Sequence, residues 1–165
     1  MNKVFVNDQI IDRADARIDI EDRGYQFGDG VYEVIRVYGG ALFTADEHLD
    51  RFYSSAEKIK IDVPFSKETL LSQMEEMVKA NEIQDGSVYM QITRGASPRN
   101  HLFPGKDISP VLTAYAKEVP RPVESMTNGV EAIILDDIRW LRCDIKSLNL
   151  LPNLLAKQEA KEKGC

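Results

Sequence analysis

Apolar and polar residues alternate through the first part of the chain in a pattern that predicts two β-hairpins. In residues 4–11, valine and isoleucine flank Asn7-Asp8, a pair typical of a tight turn. Residues 24–27 and 31–38 are rich in aromatic and branched side chains, and the second run ends at Gly39-Gly40. Because glycine pairs favour hairpin turns, these two runs predict a second hairpin.

The segment between those two runs is rich in glycine. Gly28-Asp29-Gly30 allows backbone shapes that other residues resist, which indicates a bulge. In the strand that follows, the period of two places Tyr32 and Val34 on one face and Glu33 on the other. Taken alone, the segment favours a bulged hairpin with ordinary strand side chains over a binding loop.

Two amphipathic helices are predicted next. After Thr44 and its capping-box partner Glu47, apolar residues recur at helical spacing and form one buried face: Leu49, Phe52, Ala56 and Ile59. A second helix begins near Ser66 and has its own inward face: Leu70, Leu71, Met74, Met77 and Val78. We interpret the methionines as core residues.

The rest of the chain divides into two unequal parts. Strands are predicted over 87–93 and 111–116, and prolines stiffen a linker at 120–122. Beyond the linker the pattern predicts a strand over 129–135 and a helix over 150–163, with Pro152 in the first turn and Gly164 as C-cap. We therefore expect an N-terminal α/β domain over 1–119, and an incomplete second domain over 123–165.

Composition narrows the class of protein. The chain has 165 residues, is 43% hydrophobic and 29% charged, and carries a formal net charge of -6. This balance fits a globular protein and argues against nucleic acid or an anionic membrane as a partner. No run of apolar residues reaches the length of a membrane span, and the start lacks an apolar signal region. With only two cysteines, the chain is expected to have neither a disulfide framework nor a zinc site, and a cytoplasmic location is the simplest expectation. Cys143 is expected in the core and Cys165 at the chain end.

Lys146 is the first candidate for chemistry. It lies within an apolar stretch, where low dielectric disfavours the ammonium form and yields an amine that attacks carbonyls. On spacing alone, a surface lysine or an extended apolar stem with an exposed amine is the better interpretation. Other residues must decide between the two.

Three further polar residues carry candidate binding roles. Arg51 follows His48 on the first helix and neighbours Phe52, so its guanidinium can bind a phosphate, with a solvated arginine near Glu47 as the alternative. Arg99 and His101 lie two apart in a loop and can hold a carboxylate, with a plain surface loop as the alternative. His48 has no partner at metal spacing, so no metal site is predicted.

Several stretches, taken together and in order, resemble the class IV pyridoxal-phosphate-dependent aminotransferases. They are residues 22–24 with 27–33, His48-Leu49-Asp50-Arg51, and Lys146-Ser147-Leu148-Asn149 with 155–157. Residues 94–101 and 137–146 resemble the D-amino acid aminotransferases of that family in particular. The resemblance implies an α+β fold, in which a two-layer N-terminal α/β domain precedes an α/β pseudo-barrel that binds the cofactor.

The resemblance also implies a role for each candidate. Lys146 matches the lysine that binds pyridoxal 5'-phosphate through a Schiff base and moves a proton, and Arg51 matches the arginine that binds the cofactor phosphate. Arg99 and His101 match the pair that holds the substrate carboxylate, on a loop that reaches the partner subunit's site and so implies a homodimer. Three residues match positions in the substrate pocket: Tyr32, Tyr89 and Val34.

The implied reaction is transamination between a D-amino acid such as D-alanine and a 2-oxo acid such as 2-oxoglutarate, giving pyruvate and D-glutamate. Branched-chain L-amino acid aminotransferase and aminodeoxychorismate lyase activities of the same family are the alternatives. Family members continue past Cys165 with groups that hold the cofactor ring and phosphate. A catalytically inactive N-terminal fragment is therefore a further alternative.

Overall fold

A computed structural model of the chain describes residues 2–165. Its centre is a six-stranded antiparallel sheet with strand order β2-β1-β6-β5-β3-β4. The elements run β1 (Lys3–Val6), β2 (Gln9–Asp12), α1 (Arg23–Phe27), β3 (Gly30–Tyr38), β4 (Ala41–Leu42), α2 (Ala45–Lys58), α3 (Lys67–Ala80), β5 (Gly86–Thr93), β6 (Val111–Glu118), α4 (Val123–Asn128) and α5 (Leu151–Glu162).

The first predicted hairpin is present, and the predicted turn at Gly39-Gly40 forms a hairpin of β3 and β4. Asn7 takes a left-handed φ of 58° in the turn between β1 and β2, a conformation that asparagine tolerates better than most residues. Gly39 and Gly40 have φ of 54° and 79° and turn β3 into β4. The central strands β5 and β6 also form where the alternation predicted them.

The two long helices lie on one face of the sheet. Helix α2 packs on β3, and α3 packs on β1 and β6. Their apolar faces meet the inward side chains of the strands in one core that includes Leu49, Phe52 and Ala56 from α2, and Leu70, Met74, Met77 and Val78 from α3. Ile59 and Leu71 pack against this core only partly buried. The two-layer α+β prediction is confirmed.

The segment over 24–27 is a helix rather than part of a hairpin. The Asp22 carboxylate accepts a hydrogen bond from the Gly24 N–H and caps α1, which outweighs the aromatic and branched composition. Gly28 leaves the helix in a left-handed conformation with φ of 66°. The left-handed backbone favours glycine, and an added Cβ there would meet Asn149 Oδ1 at 2.7 Å and displace that side chain.

The predicted capping box at Thr44 is also wrong. Thr44 has a left-handed φ of 50°, and its side chain makes no capping hydrogen bond. An N-cap hydroxyl reaches the first-turn N–H groups from an extended backbone, as Ser66 does when it accepts from the Thr69 N–H. Helix α2 therefore begins at Ala45 without that bond.

The chain after β6 runs largely on the surface. Residues 129–135 form no strand, because no neighbouring strand within residues 2–165 pairs with them, and Ile134 is fully exposed. Cys143 is exposed as well, which corrects its assignment to the core. The predicted helix over 150–163 is confirmed as α5, with Pro152 in its first turn.

Two residues of this last part return to the core. Ile145 and Ser147 are 5% and 6% exposed, and Ser147 forms an antiparallel bridge with Val31 of β3.

The domain bounds 1–119, 120–122 and 123–165 stay a prediction. Within the described residues, no helix has both the length and the apolar character that crossing a bilayer requires.

Candidate active site

The backbone of Lys146 is fixed against the start of β3. Its N–H donates to Ser55 Oγ at 3.2 Å, and its carbonyl accepts from the Tyr32 N–H at 3.0 Å. The Leu148 N–H donates to the Gly30 carbonyl at 3.0 Å. The segment thus lies beside β3 like a short extra strand, which places Lys146 next to Tyr32.

The Lys146 side chain is half-buried and faces a small cavity. Its Nζ lies 3.9 Å from the centre of the Tyr32 ring. The cavity has a volume of about 170 Å³, and its lining also includes Trp140, Asn149 and Asn153. No carboxylate forms an ion pair with this amine within residues 2–165. A ligand entering the cavity can therefore reach the amine.

A row of tyrosines extends from Tyr32 across the open face of the sheet. Tyr32 stacks on Tyr89 with ring centres 5.6 Å apart, and Tyr89 stacks on Tyr115 at 5.2 Å. Burial raises the pKa of Tyr89 to about 12, with Tyr115 and Tyr32 acting in the same direction. Tyr89 is thus a neutral phenol whose OH donates to Gln91 Oε1 at 2.7 Å. Val34, which pairs with Tyr89 in the β3–β5 ladder, lies half-exposed on the same face.

Arg51 is oriented by Glu33, a contact that sequence reasoning missed. Arg51 Nε and Nη2 donate to the two carboxylate oxygens at 2.5 and 2.8 Å, and His48 Nδ1 lies 2.8 Å from Glu33 Oε2. Burial raises the pKa of Glu33, but the hydrogen bonds and charges of Arg51 and His48 outweigh burial and hold that pKa below its usual value. The Arg51 side chain is 54% exposed, and its Nη1 has no partner within residues 2–165. The strand period placed Glu33 on the inward face, but no pattern along the chain identified Arg51, 18 residues away, as its partner.

A second buried charge cluster lies at the base of the loop that carries Arg99 and His101. Asp29 accepts from Arg23 Nε at 2.8 Å and from Arg94 Nε and Nη2 at 2.8 and 2.9 Å. Burial raises the pKa of Asp29, but hydrogen bonds from Arg94 and Arg23 outweigh it, so the pKa is lowered. The carboxylate therefore stays ionised between two guanidinium groups. No spacing along the chain indicates this cluster, because Arg94 is 65 residues from Asp29.

The predicted site residues face two different cavities. Lys146 and Tyr32 line the small cavity, whereas His101 lines a second cavity of about 400 Å³ with Phe27 and Arg94. The segment from Ile145 to Asn149 lies between them and contributes Ile145, Ser147 and Asn149 to both linings. Arg99 and His101 are exposed. Within one chain, the structure brings Lys146 to Tyr32 but leaves the Arg99–His101 pair on the other side of that segment.

Comparison with known proteins gives the family. The family model described as amino-transferase class IV matches residues 30–165. A D-alanine aminotransferase of Listeria innocua is 55% identical over 164 residues, which are 98% of this chain and 57% of that protein. The chain therefore spans little more than half the length of this relative.

Two solved structures confirm the fold. The branched-chain amino acid aminotransferase of Escherichia coli matches with a TM-score of 0.83 and 21% identity, over 99% of this chain and 55% of that one. The 4-amino-4-deoxychorismate lyase of Pseudomonas aeruginosa matches with a TM-score of 0.75 and 23% identity, over 94% of this chain and 56% of that one. At these identities the likeness establishes the architecture alone. Because the family model covers most of the chain, from β3 to its last residue, the chain belongs to the class IV aminotransferases.

Proposed function

We propose that the full-length protein is a pyridoxal-phosphate-dependent D-amino acid aminotransferase. It converts D-alanine and 2-oxoglutarate to pyruvate and D-glutamate. The observation that carries the proposal is the Lys146 amine, which lies over the Tyr32 ring without an ion-pair partner in the described residues. The 55% identity to a D-alanine aminotransferase supports the choice of substrate.

The residues present fit this cofactor at two points. The unpaired amine of Lys146 suits its carbonyl carbon, and the half-exposed Arg51 side chain, oriented by Glu33, suits its phosphate. When bound, the cofactor supplies an electron sink for the carbanion formed at the substrate Cα. Lys146 would take the proton from that Cα as general base and deliver it as general acid to the C4′ carbon of the cofactor, as transamination requires. Tyr32 limits the pocket on the sheet side, and the ring of Tyr89 stacks against it from behind.

Arg99 and His101 hold the substrate carboxylate in the active site of a second copy of the chain. Two observations support this arrangement. The pair faces away from the cavity of its own Lys146, and neither side chain has a hydrogen bond or ion pair within residues 2–165 that would occupy it. The proposal therefore includes a homodimer, and a cytoplasmic location stays a prediction.

Replacement of Lys146 tests the function. In the full-length protein, Lys146→Ala should lower the turnover of D-alanine by about 10²–10⁴-fold, because the proton at Cα loses its acid and base. After borohydride reduction, the intact mass should show one cofactor per chain in the wild type and none in the variant. Lys79→Ala, an exposed lysine of α3, is the control and should behave as the wild type.

Two outcomes would reject the proposal in different ways. Wild-type turnover in Lys146→Ala would remove Lys146 from the mechanism. A wild-type enzyme that prefers L-leucine to D-alanine would instead be a branched-chain aminotransferase and would leave Lys146 in place.

A further inference from the structure

We infer that helix α1 positions the carboxylate-binding pair, and that Arg23 and Phe27, here called the α1 platform, are positioning residues for Arg99 and His101. The inference rests on the proposed function, since it takes that pair as the carboxylate site. It adds two residues that contact neither the cofactor nor the reacting atoms.

Arg23 holds the backbone between the two binding residues. Its side chain is 4% exposed, and its Nη1 donates to the carbonyl of Asn100 at 2.6 Å. Its Nε is bound to Asp29 at 2.8 Å, so the guanidinium has little freedom to move. Because Asn100 separates Arg99 from His101, this single bond fixes the peptide that sets the spacing of the pair.

Phe27 contacts both side chains of the pair with one ring. The guanidinium carbon of Arg99 lies 4.4 Å from the ring centre, and the His101 ring meets it edge-on at 5.6 Å and 63°. A guanidinium over an aromatic face is attracted by the ring quadrupole, and an edge-on pair of rings is similarly favoured. The ring therefore sets the direction of both side chains without using any of their N–H groups.

The loop is also fixed at its start. Arg94 shares Asp29 with Arg23, and its Nη groups donate to the carbonyls of Ile59 and Lys60 at 2.7 and 3.0 Å. The Asp29 carboxylate thus ties the beginning of the loop to the residue that holds Asn100. What remains free is the polar end of each binding side chain.

A preoriented pair of donors has a defined kinetic signature. Side chains already held in the bound geometry lose less conformational entropy when a carboxylate arrives. The carboxylate contact is present in both the ground state and the transition state, so its loss raises KM while kcat changes little. A residue that only stabilises the fold would not change KM selectively.

The test is a double-mutant cycle in the full-length enzyme with D-alanine as substrate. Phe27→Leu should raise KM about 3–10-fold with kcat within about twofold of the wild type, and Arg99→Ala should raise KM further. The double variant should have a KM above that of Arg99→Ala by less than the full Phe27→Leu effect, because the part of the ring's effect that acts through Arg99 is already lost and only the His101 part remains. Tyr25→Leu is the matched control. It removes an aromatic ring from the same helix, but Tyr25 is 79% exposed, and the KM of this variant should be that of the wild type.

Two further variants separate loss of the ring from loss of the fold. Phe27→Tyr keeps the ring and should retain the wild-type KM, and Phe27→Met replaces Phe27→Leu if that variant does not fold. Calorimetric titration with propionate should show the same fold-loss of affinity as the rise in KM, independently of turnover.

The outcomes separate the inference from the proposed function. If Arg99→Ala leaves KM unchanged, the carboxylate site and with it the proposed function is at fault. If Arg99→Ala raises KM but Phe27→Leu leaves it unchanged, or adds its full effect in the double variant, the positioning role is overturned while the proposed function stands.

Discussion

Glu33 shows at the scale of a single residue how a charge is accommodated inside this sheet. It is fully buried between the core residues Val31 and Ile35. Its oxygens accept from Arg51 and, at 3.2 Å, from the Val34 N–H, so the cost of removing it from water is offset by hydrogen bonds. The same carboxylate orients the arginine proposed to bind the cofactor phosphate.

Neutralising Glu33 should therefore weaken both the fold and cofactor binding. Glu33→Gln keeps the shape but leaves Arg51 without its countercharge, and we expect the free energy of unfolding to fall by about 1–3 kcal/mol. Urea unfolding of the apoprotein measures this loss, and cofactor titration measures the accompanying loss of affinity. Glu47→Gln, an exposed residue of α2, is the control. Equal stability of the two variants would contradict the structural role of Glu33.

Residue positions were predictable from the strand period, but partners were not. Alternation placed Glu33 on the opposite face of the sheet from Tyr32 and Val34, as the structure confirms. Its contact with Arg51 depends on how α2 is rotated over β3, which the packing of Leu49 and Phe52 decides. No local pattern encodes that rotation.

At the scale of elements, α2 joins two parts of the proposed site. Arg51 and Ser55 lie four residues apart, so they are neighbours one turn apart on the helix. Arg51 faces Glu33, and Ser55, which is 1% exposed, accepts the Lys146 N–H. The helix therefore fixes the phosphate-binding residue and the backbone of the lysine relative to each other.

Removing the Ser55 hydroxyl should loosen Lys146 without touching its side chain. Ser55→Ala leaves the Lys146 N–H without an acceptor, so the free energy of unfolding should fall by about 1–3 kcal/mol. Hydrogen–deuterium exchange of the peptide that contains Lys146 should become faster at the same time. Ser54→Ala, an exposed neighbour, is the control. Unchanged exchange at Lys146 in Ser55→Ala would refute the anchoring role.

The elements that were predicted correctly are those whose signal is local. Strands β5 and β6 and helices α2, α3 and α5 follow from the pattern within their own residues, although the cap predicted for α2 at Thr44 is absent. Helix α1 was missed because one side-chain cap, Asp22 on Gly24, outweighed composition. The strand predicted over 129–135 needed a pairing partner, and apolar composition alone does not supply one.

On the scale of the whole molecule, the buried carboxylate of Glu33 and the largely buried carboxylate of Asp29 link stability to pH. Asp29 and Glu33 both have lowered pKa values in the fold, relative to 3.8 and 4.5 for the free groups. Each contributes stability that is complete above its free value and is lost as the pH falls through its lowered folded value. Both are therefore stabilising at neutral pH and lose that contribution in acid.

We expect the urea midpoint to fall as the pH is lowered below about 4.5, the higher of those free values. Asp29→Asn and Glu33→Gln should each show a flatter dependence in this range, because each lacks one of the titrating groups. Glu76→Gln, an exposed residue of α3, should keep the wild-type slope. A wild-type slope in both core variants would show that other groups dominate acid unfolding.

The strand order has a consequence for the protein during its synthesis. Strand β1 lies between β2 and β6, and Val4 pairs with Tyr115, so its second edge stays unpaired until roughly 100 more residues are made, about 5–20 s on a ribosome. During that time the hairpin of β1 and β2 has no third strand and is only marginally stable. Strand β3 already has β4 and β5 beside it before the ribosome reaches Lys146. Nascent chains stalled at increasing lengths would therefore acquire the docking surface for the lysine before the lysine itself.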